Sequence, residues 1–404
     1  MPKLRFPGFE GEWTRNRLDE VASVNPASPE IPLHFYYIDL ESVDAGILSE
    51  IKEITKSDAP SRAQREVRIN DILFQTVRPY QKNNYFMQEE FGLPVFASTG
   101  YAQIRTENNP YFLYSLLHTK RFLNNVLLRC TGSSYPAINS NDLKEIEIYT
   151  PCQLEQSKLS LFMSLIDKRI EKQKQLIETV KKYKRGLLSA VFPGNSHVTP
   201  KYRLSGFSKP WKQRKLGDIA DIKTGPFGST LHADDYVNEG IPIITTEHFK
   251  SGKLPTVKNG IPQVSDDDYL RLKGYTLKTG DIVFSRVGSV DINALVTPIQ
   301  DKWLFSGRVL RVRSYVEIVS TFLHTLLETD NVRKDIISRA VGQTMPSINT
   351  EILKATLLCL PQDIDEQLKI GSYFAHLDRI ITLHQCRLNM FEKIKFGMLQ
   401  QLFI

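Results

Sequence analysis

The sequence contains two copies of one unit, and this internal repeat constrains the fold more than any other feature. The segment PKLRFPGFEGEWTRNRLDEVA at 2–22 matches PKYRLSGFSKPWKQRKLGDIA at 200–220, with the Gly-Phe and Trp positions 198 residues apart. Further along, NDILF at 70–74 matches GDIVF at 280–284, 210 residues later. Such self-similarity predicts one scaffold built twice.

A turn and a helical segment repeat as well. TGSSYPAINSNDLK at 131–144 matches VGQTMPSINTEILK at 341–354, and KRGLL at 184–188 matches KFGML at 395–399. The segments with little likeness between the copies are 26–69 and 80–130 in the first, and 226–279 and 290–340 in the second. The repeated scaffold therefore carries two different variable surfaces.

Composition indicates a soluble globular protein. Of its 404 residues, 41% are hydrophobic and 24% charged, and this length allows about two to four domains. No stretch approaches the ~20 apolar residues of a membrane span, and the start lacks the apolar core of a signal peptide, so we expect a cytoplasmic location. The net charge of +7 mildly favours an anionic partner.

Each copy has the pattern of a mixed α and β globule. Short β-rich runs such as DILFQTV, KEIEIYT and ATLLCL alternate with Gly, Pro, Asn and Asp turns, and YFLYSLLHT and STFLHTLLET predict short helices. Asn139 and Asn349 each precede a short helical stretch, and we interpret both as helix N-caps. The order lacks the regular βαβ alternation of a nucleotide-binding fold.

Two long helices are predicted, at about 154–191 and 363–404, each roughly 50 to 55 Å long. Apolar residues recur three, four or seven positions apart, as on a helix that packs against another helix. They are Leu159, Phe162, Ile166, Ile170, Ile177, Val180, Leu187 and Val191, and then Ile370, Tyr373, Leu377, Ile381, Leu388, Phe391, Met398 and Leu402. Because neither small globule can cover such a stripe, we expect the two helices to pair.

Loops around the repeated segments interleave aromatic, basic and amide side chains. Arginine suits guanine edges and phosphates, whereas Gln, Asn and Ser suit adenine edges and phosphate oxygens. The alternative is an ordinary surface loop, including for TGPFGST at 224–230, which lacks the GK[ST] ending of a P-loop. The candidate nucleic-acid contacts are Arg78, Tyr80, Gln81, Lys82, Ser133, Ser134, Tyr135, Thr224, Phe227, Ser229, Arg286, Ser289, Gln343 and Thr344.

Basic residues cluster late in both long helices. They predict contacts to phosphate or to a partner protein, and the alternative is favourable placement of cations at a helix C-terminus. The candidates are Lys181, Lys182, Lys184, Arg185, Lys393 and Lys395.

Motifs for catalysis or metal binding are incomplete in this sequence. NNPY at 108–111 lacks the second proline of an amino-methyltransferase motif, EIK at 50–52 lacks the preceding Pro-Asp of a nuclease motif, and neither HExxH nor GxSxG occurs. We interpret His248 and His324 as structural. The four cysteines form no CxxC pair, so we expect them to be reduced and mostly buried. We predict no catalytic residue, no metal and no cofactor in this chain.

Together these motifs resemble the specificity subunits of type I restriction-modification systems. The resemblance covers essentially the whole chain and rests on GFEGEW and GFSKPW, TGPFGSTLHADDYVNEGIPII, GDIVFSRVGSV, TGSSYPAIN and VGQTMPSIN, and helices ending KRGLLSAVF and KFGMLQQLF. It implies an α+β fold in which two mixed α/β target recognition domains are separated by two long antiparallel coiled-coil helices, in a pseudo-two-fold internal repeat.

The resemblance also implies a domain division and a set of partners. The target recognition domains would be 1–152 and 200–362, with a central spacer helix and linker at 153–199 and a distal spacer helix at 363–404. Such a subunit recognises a bipartite, asymmetric site in double-stranded DNA. It scaffolds two modification (methyltransferase) subunits and restriction or translocase subunits, and S-adenosylmethionine, magnesium and ATP would be bound by those partners.

Two other functions stay open at this point. An enzyme acting alone would methylate or nick DNA as the purified chain. A pseudo-symmetric adaptor would bind other proteins and no DNA.

We expect DNA affinity that falls steeply with salt. Neutralised phosphates release counterions, so the logarithm of the association constant decreases linearly with the logarithm of the salt concentration. Titration of labelled duplex DNA at about 50 to 300 mM salt measures this slope. Binding that is absent or indifferent to salt would instead favour the adaptor.

Overall fold

The repeated strand cores form the same four-stranded antiparallel sheet twice. In the first copy the strand order is Ser23–Val24, Tyr101–Arg105, Ile72–Gln75 and Tyr85–Phe86. In the second it is Ala220–Thr224, Val309–Ser314, Ile282–Ser285 and Asn293–Leu295. The two middle strands are almost entirely buried, as their apolar runs predict.

The computed structural model describes residues 2–132, 134–194, 199–226, 230–232 and 235–403. Two units emerge: unit 1 comprises Met1–Gln175 with Cys386–Ile404, and unit 2 comprises Leu176–Gln385. Each long helix therefore begins in one unit and ends in the other.

Unit 1 adds a second sheet and short helices to its repeated sheet. The second sheet has the order Lys52–Thr55, His34–Ile38, Val95–Ser98 and Ala63–Val67. Two-stranded ladders join Thr14–Arg17 to Glu147–Thr150 and Val43–Asp44 to Ile47–Leu48. The α-helices before the long one are Leu18–Val21, Pro110–Leu117, Lys120–Arg129 and Ser140–Lys144, with 3-10 turns at Lys56–Asp58 and Pro79–Gln81.

Unit 2 follows the same plan with different variable parts. Its second sheet has the order Tyr236–Val237, Gln263–Val264, Ile241–Ile244 and Leu304–Phe305. A ladder joins Lys212–Lys215 to Leu357–Leu360. The short α-helices are Asp266–Arg271, Ser320–Leu327, Asp330–Arg339 and Thr350–Lys354. The described 3-10 turns are Leu216–Asp218, Thr246–Phe249, Lys273–Tyr275 and Pro298–Gln300.

The predicted N-caps are confirmed. The Asn139 side chain accepts hydrogen bonds from the backbone N–H groups of Asn141 and Asp142, and Asn349 accepts one from Ile352. These bonds satisfy donors that a helix start would otherwise leave unpaired.

The long helices span Gln153–Val191 and Ile364–Leu402, 39 residues each, or about 58 Å. The predicted apolar stripe is wrong at Tyr373, which is 48% exposed while the neighbouring Phe374 is buried. Phe162 packs against the unit 1 core as predicted, beside the fully buried Met163. The suggested placement of cations at the helix C-termini is also wrong. Neither helix has a basic residue in its last turn, because both continue beyond the basic clusters.

The core of each unit is completed by the residue that directly follows a long helix. In unit 1, Phe403 stacks on Phe112 at 5.5 Å between ring centroids and meets Trp13 edge-on at 6.5 Å. In unit 2, Phe192 contacts Trp211 at 6.1 Å and Phe322 at 5.7 Å. Both phenylalanines are buried, and such aromatic contacts add about 0.5 to 1.5 kcal/mol each beyond burial.

A buried ion pair ties the first segment of each repeat to the start of a long helix. Arg5 donates from Nε and Nη2 to the two carboxylate oxygens of Glu155, both at 2.7 Å. In unit 2, Arg203 makes the same bidentate contact with Glu366 at 2.8 Å, and Trp211 Nε1 donates to Glu366 at 3.3 Å. Hydrogen bonding to Glu155 raises the pKa of Arg5, and Glu366 does the same for Arg203. The arginines therefore remain charged.

Two further observations bear on the sequence-based expectations. All four cysteines are free, but the expectation of burial is wrong, since Cys152 and Cys386 are exposed and Cys130 and Cys359 are half-buried. In the described part of the chain, no helix is both long and apolar enough to cross a membrane.

We predict that Glu366→Gln lowers the free energy of unfolding of unit 2 by about 3 kcal/mol, because it leaves the Arg203 charge without its buried partner. The matched control is Glu351→Gln, which removes an exposed pair with Lys354 and should change stability by less than about 0.5 kcal/mol. Calorimetric unfolding of both variants measures the difference. Equal effects would show that the buried pair is not a major contributor.

Candidate nucleic-acid interface

Two loops of unit 1 combine into one surface. The first, residues 76–82, follows the strand Ile72–Gln75, and the second is residues 131–138. The N–H of Arg78 donates to the carbonyl of Pro136 at 2.7 Å, and the N–H of Ile138 donates to the carbonyl of Thr76 at 3.1 Å. We call this arrangement the loop pair of unit 1.

Unit 2 contains the same loop pair, formed by residues 286–292 and 341–348. Gly288 N–H donates to the carbonyl of Pro346 at 2.8 Å, and Ile348 N–H donates to that of Arg286 at 2.9 Å. These bonds match those of unit 1 at a constant offset of 210 residues. The hydrogen bonding of the scaffold is therefore retained where the side chains differ.

The second loop of each pair is a tight turn that depends on glycine. Thr131 and Ala137 exchange two backbone hydrogen bonds at 2.9 and 3.0 Å, as Val341 and Ser347 do at 2.9 Å. Gly132 and Gly342 have φ of +89° and +104°, a region that residues with a Cβ adopt only with strain. Each turn presents exposed side chains outward: Ser134 and Tyr135 in unit 1, and Gln343, Thr344 and Met345 in unit 2.

The described candidates of unit 1 all lie on its loop pair. The Arg78 guanidinium lies 4.2 Å above the centroid of the Tyr135 ring. Tyr80 is 50% exposed and Tyr135 63%. Gln81 is exposed, although its Oε1 already accepts a hydrogen bond from Gln75 at 2.8 Å, and Lys82 is half-buried.

The unit 2 candidates are distributed over its loop pair and one neighbouring strand end. Ser289, Gln343 and Thr344 are exposed, whereas Arg286 is half-buried and donates to the carbonyl of Gly307 at 3.2 Å. Thr224 ends a strand, and its buried hydroxyl makes no hydrogen bond within the described residues. The candidates Ser133, Phe227 and Ser229 lie outside the described residues.

Strand directions place Thr224 at the same end of the sheet as the start of the unit 2 loop pair. Ala220–Thr224 and Ile282–Ser285 are both antiparallel to the strand between them, so they run parallel to each other. Thr224 and Ser285 therefore lie at the same end of the sheet. The sequence could reveal this shared position only once the strand pairing was known.

Met345 is an exposed residue that is not among the nucleic-acid contacts predicted from the sequence. It is 66% exposed and occupies the position of Tyr135 in the other unit. A methionine is neither polar nor basic, so those criteria miss it. The 210-residue offset from Tyr135 could have identified it.

Buried carboxylates directly precede the strands that lead into the two loop pairs. Asp71 accepts bonds from Arg105 Nε at 2.8 Å and Nη2 at 2.7 Å, and Asp281 accepts two from Arg313 at 2.7 Å. Both aspartates are 1% exposed. These ion pairs neutralise Arg105 and Arg313 within the scaffold, so the two arginines are not available to a ligand.

The candidate partner-binding lysines divide into two groups. Lys184 lies 2.7 Å from both Glu328 and Asp378. Burial alone would lower the pKa of Lys184, but these carboxylates hold it above its ordinary value. Lys395 similarly pairs with Asp167 at 2.6 Å in unit 1. Both ammonium groups thus serve contacts between the long helices, whereas Lys181, Lys182, Arg185 and Lys393 are exposed.

The histidine environments are those of packed side chains. His248 Nδ1 accepts a hydrogen bond from the Thr245 N–H at 3.0 Å, and burial lowers the pKa of both His248 and His324. Burial also lowers the pKa of His118 to about 4. These rings are therefore neutral at neutral pH. Among the described residues, no group of three or more His, Cys, Asp or Glu is placed to hold a metal ion.

Comparison with known proteins supports a role in DNA recognition. The sequence profile described as the type I restriction modification DNA specificity domain matches twice, at residues 11–182 and 208–393. The specificity subunit of the type I restriction enzyme MjaVIII of Methanocaldococcus jannaschii is 23% identical over 296 residues, covering 70% of this chain and 67% of the relative. The MjaIX specificity subunit of the same organism is 24% identical over 299 residues, covering 72% and 67%.

Two solved structures share the fold. The type I restriction-modification S subunit from M. genitalium aligns with a TM-score of 0.64 at 17% identity, over 100% of this chain and 99% of that one. A chain from a study of assembly and conformational transition in the type I system aligns with a TM-score of 0.55 at 21% identity, over 97% of each chain. The duplicated profile match covers most of the chain, and each match coincides with one copy of the repeat. The chain therefore belongs to the family of type I restriction-modification DNA specificity subunits, non-catalytic components that recognise DNA sequence through two domains.

Proposed function

We propose that this chain recognises a bipartite, asymmetric DNA site, with one loop pair contacting each half-site. The observation that carries the proposal is the repeated loop pair, which has the same backbone hydrogen bonds in both units and different exposed side chains. Identical scaffolds orient their loops alike, and unlike side chains read unlike bases. A reader with two identical faces would instead prefer a palindrome.

The proposed DNA contacts follow from the exposed parts of each unit. In unit 1 they are Arg78, Tyr80, Gln81, Lys82, Ser134 and Tyr135, and in unit 2 they are Thr224, Arg286, Ser289, Gln343 and Thr344. Ser133, Phe227 and Ser229 stay predictions from the sequence. The target recognition domains would be 1–152 and 200–362, as the repeat predicts.

The long helices would pair as an antiparallel coiled coil and set the gap between the half-sites. Contacts inside each unit support this pairing. In unit 1, Lys395 pairs with Asp167 and Lys174 lies 3.6 Å from Glu392, so residue numbers rise on one helix as they fall on the other. In unit 2, Lys184 pairs with Asp378. The equivalent ion pairs in both units are consistent with a pseudo-two-fold repeat.

The same helices would scaffold the other subunits of the complex. Exposed Lys181, Lys182, Arg185 and Lys393 lie on helices that also expose apolar side chains such as Leu165 and Phe396. Exposed apolar area with a charged rim suits a protein partner. We propose two modification subunits and restriction subunits there, which would bind S-adenosylmethionine, magnesium and ATP.

The test is a methylome of a host that carries this chain with its modification subunits. We expect methylated adenines in one motif with two different half-sites and a constant gap. A palindromic motif, or methylation without a gapped motif, would refute the proposal.

Lengthening both long helices by one turn should widen the gap by about one or two base pairs, since four residues add about 6 Å. Each half-site should stay the same. Replacing four exposed residues at the same positions with alanine keeps the length and is the matched control. Methylome sequencing reports gap and half-sites together, and an unchanged gap in the lengthened variant would contradict the spacer role.

Gly342→Ala should weaken recognition of the unit 2 half-site. A Cβ there would meet the carbonyl oxygen of Met345 at 2.9 Å while φ is +104°, a strain of about 1 to 3 kcal/mol in the turn. Gly397→Ala is the control, because that helical position is open and alanine should stabilise it by about 1 kcal/mol. Competition binding with duplexes altered in one half-site measures the effect. Equal selectivity in both variants would show that the turn does not contact DNA.

A further inference from the structure

Arg78 adopts a backbone conformation that its side chain makes costly. Its φ of 53° and ψ of 54° lie in the left-handed region, where a non-glycine residue is disfavoured by about 1 to 2 kcal/mol. Unit 2 has Gly288 at the equivalent position, with φ of +82°. Backbone hydrogen bonds hold Arg78 in place, since its N–H donates to Pro136 and its carbonyl accepts from Gln81 at 3.0 Å. Arg78 thus occupies a left-handed backbone conformation that glycine adopts more easily.

The Arg78 side chain is oriented but not neutralised. Its guanidinium lies over the Tyr135 ring at 4.2 Å, and no carboxylate of a described residue forms an ion pair with it, whereas Asp71 and Asp281 bind Arg105 and Arg313. A guanidinium carries its N–H donors in a rigid, planar fork, and the contact with Tyr135 restricts where that fork lies. That geometry suits a planar, bidentate acceptor.

We propose that Arg78 reads a guanine in the half-site contacted by unit 1, with Tyr135 holding the guanidinium in the reading orientation. This inference rests on the proposed function and specifies part of its target. Guanine presents O6 and N7 side by side in the major groove, and two parallel N–H bonds from arginine match that edge. A phosphate accepts hydrogen bonds from many directions, so it would not require a guanidinium held against an aromatic ring.

Unit 2 has no arginine at the position of Arg78 and no tyrosine at the position of Tyr135. It has Gly288 in place of Arg78 and Met345 in place of Tyr135, within the same backbone hydrogen bonds. A guanine contact from this position of the loop pair should therefore occur in one half-site only. This difference is a specific source of the asymmetry between the two half-sites.

The experiment uses the full chain assembled with its modification subunits and a random-sequence duplex DNA library. Bound duplexes are sequenced for the wild type and for Arg78→Gly, Arg78→Lys and Tyr135→Leu. Arg78→Gly copies the residue of unit 2 and suits the left-handed backbone, so unfolding should not explain its effect. Arg121→Ala is the matched control, because Arg121 also lies over a tyrosine ring in unit 1, at 4.7 Å from the Tyr149 centroid, but on a helix outside the loop pair.

We expect the wild type to select a guanine at one position of one half-site, and Arg78→Gly to reduce that preference about tenfold or more. Arg78→Lys, which keeps the charge but lacks the planar fork, should lose most of the preference, and Tyr135→Leu part of it. The other half-site and the Arg121→Ala variant should be unaffected. The melting temperature of Arg78→Gly should equal or exceed that of the wild type.

Two results would overturn the assignment. A uniform loss of affinity for all sequences, with the salt slope reduced by about one, would make Arg78 a phosphate contact. An unchanged guanine preference in Arg78→Gly would remove Arg78 from base reading. Both leave the bipartite proposal intact, whereas failure of the wild type to enrich any gapped motif would refute that proposal itself.

Discussion

Neither unit can complete its core with one copy of the repeat. Phe403 fills the space against Trp13 and Phe112, and Phe192 fills the equivalent space against Trp211 and Phe322. Each phenylalanine arrives at the end of a long helix that begins in the other unit. Burial of a phenylalanine side chain contributes about 1.5 to 3 kcal/mol. The folding of each unit is therefore linked to the continuity of a long helix.

Charge inside the protein serves mainly to hold the scaffold. Glu155, Glu366, Asp71 and Asp281 are all buried and bind arginine side chains with two hydrogen bonds each. Bidentate pairs fix direction as well as distance. They hold the sheets and the starts of the long helices in both units, while the loop side chains differ. Under the proposed function, this separation would allow one architecture to read different DNA sequences.

The sequence predicted the positions of the helices and N-caps correctly, but it predicted less well which side chains are exposed. The long helices, the short helices and the Asn139 and Asn349 caps depend on local spacing and local hydrogen bonds, which a sequence displays directly. Tyr373 and Phe374 are adjacent and both suit an apolar stripe, so only packing selects Phe374. Lys184 belongs to a basic cluster in the sequence, but Glu328 and Asp378 reach it from distant positions. Such long-range pairing has no local signature.

The sequence alone determined the duplication, the helix lengths and the division into repeated scaffold and variable loops, because these properties follow from residue order and periodicity. Tertiary structure decided which loops meet, which charges are neutralised and which turns require glycine. The 76–82 and 131–138 segments become one surface only through backbone hydrogen bonds between them. The cation–π contact between Arg78 and Tyr135 likewise depends on these hydrogen bonds. Residues that are far apart in the chain form one surface only when folding brings them into contact.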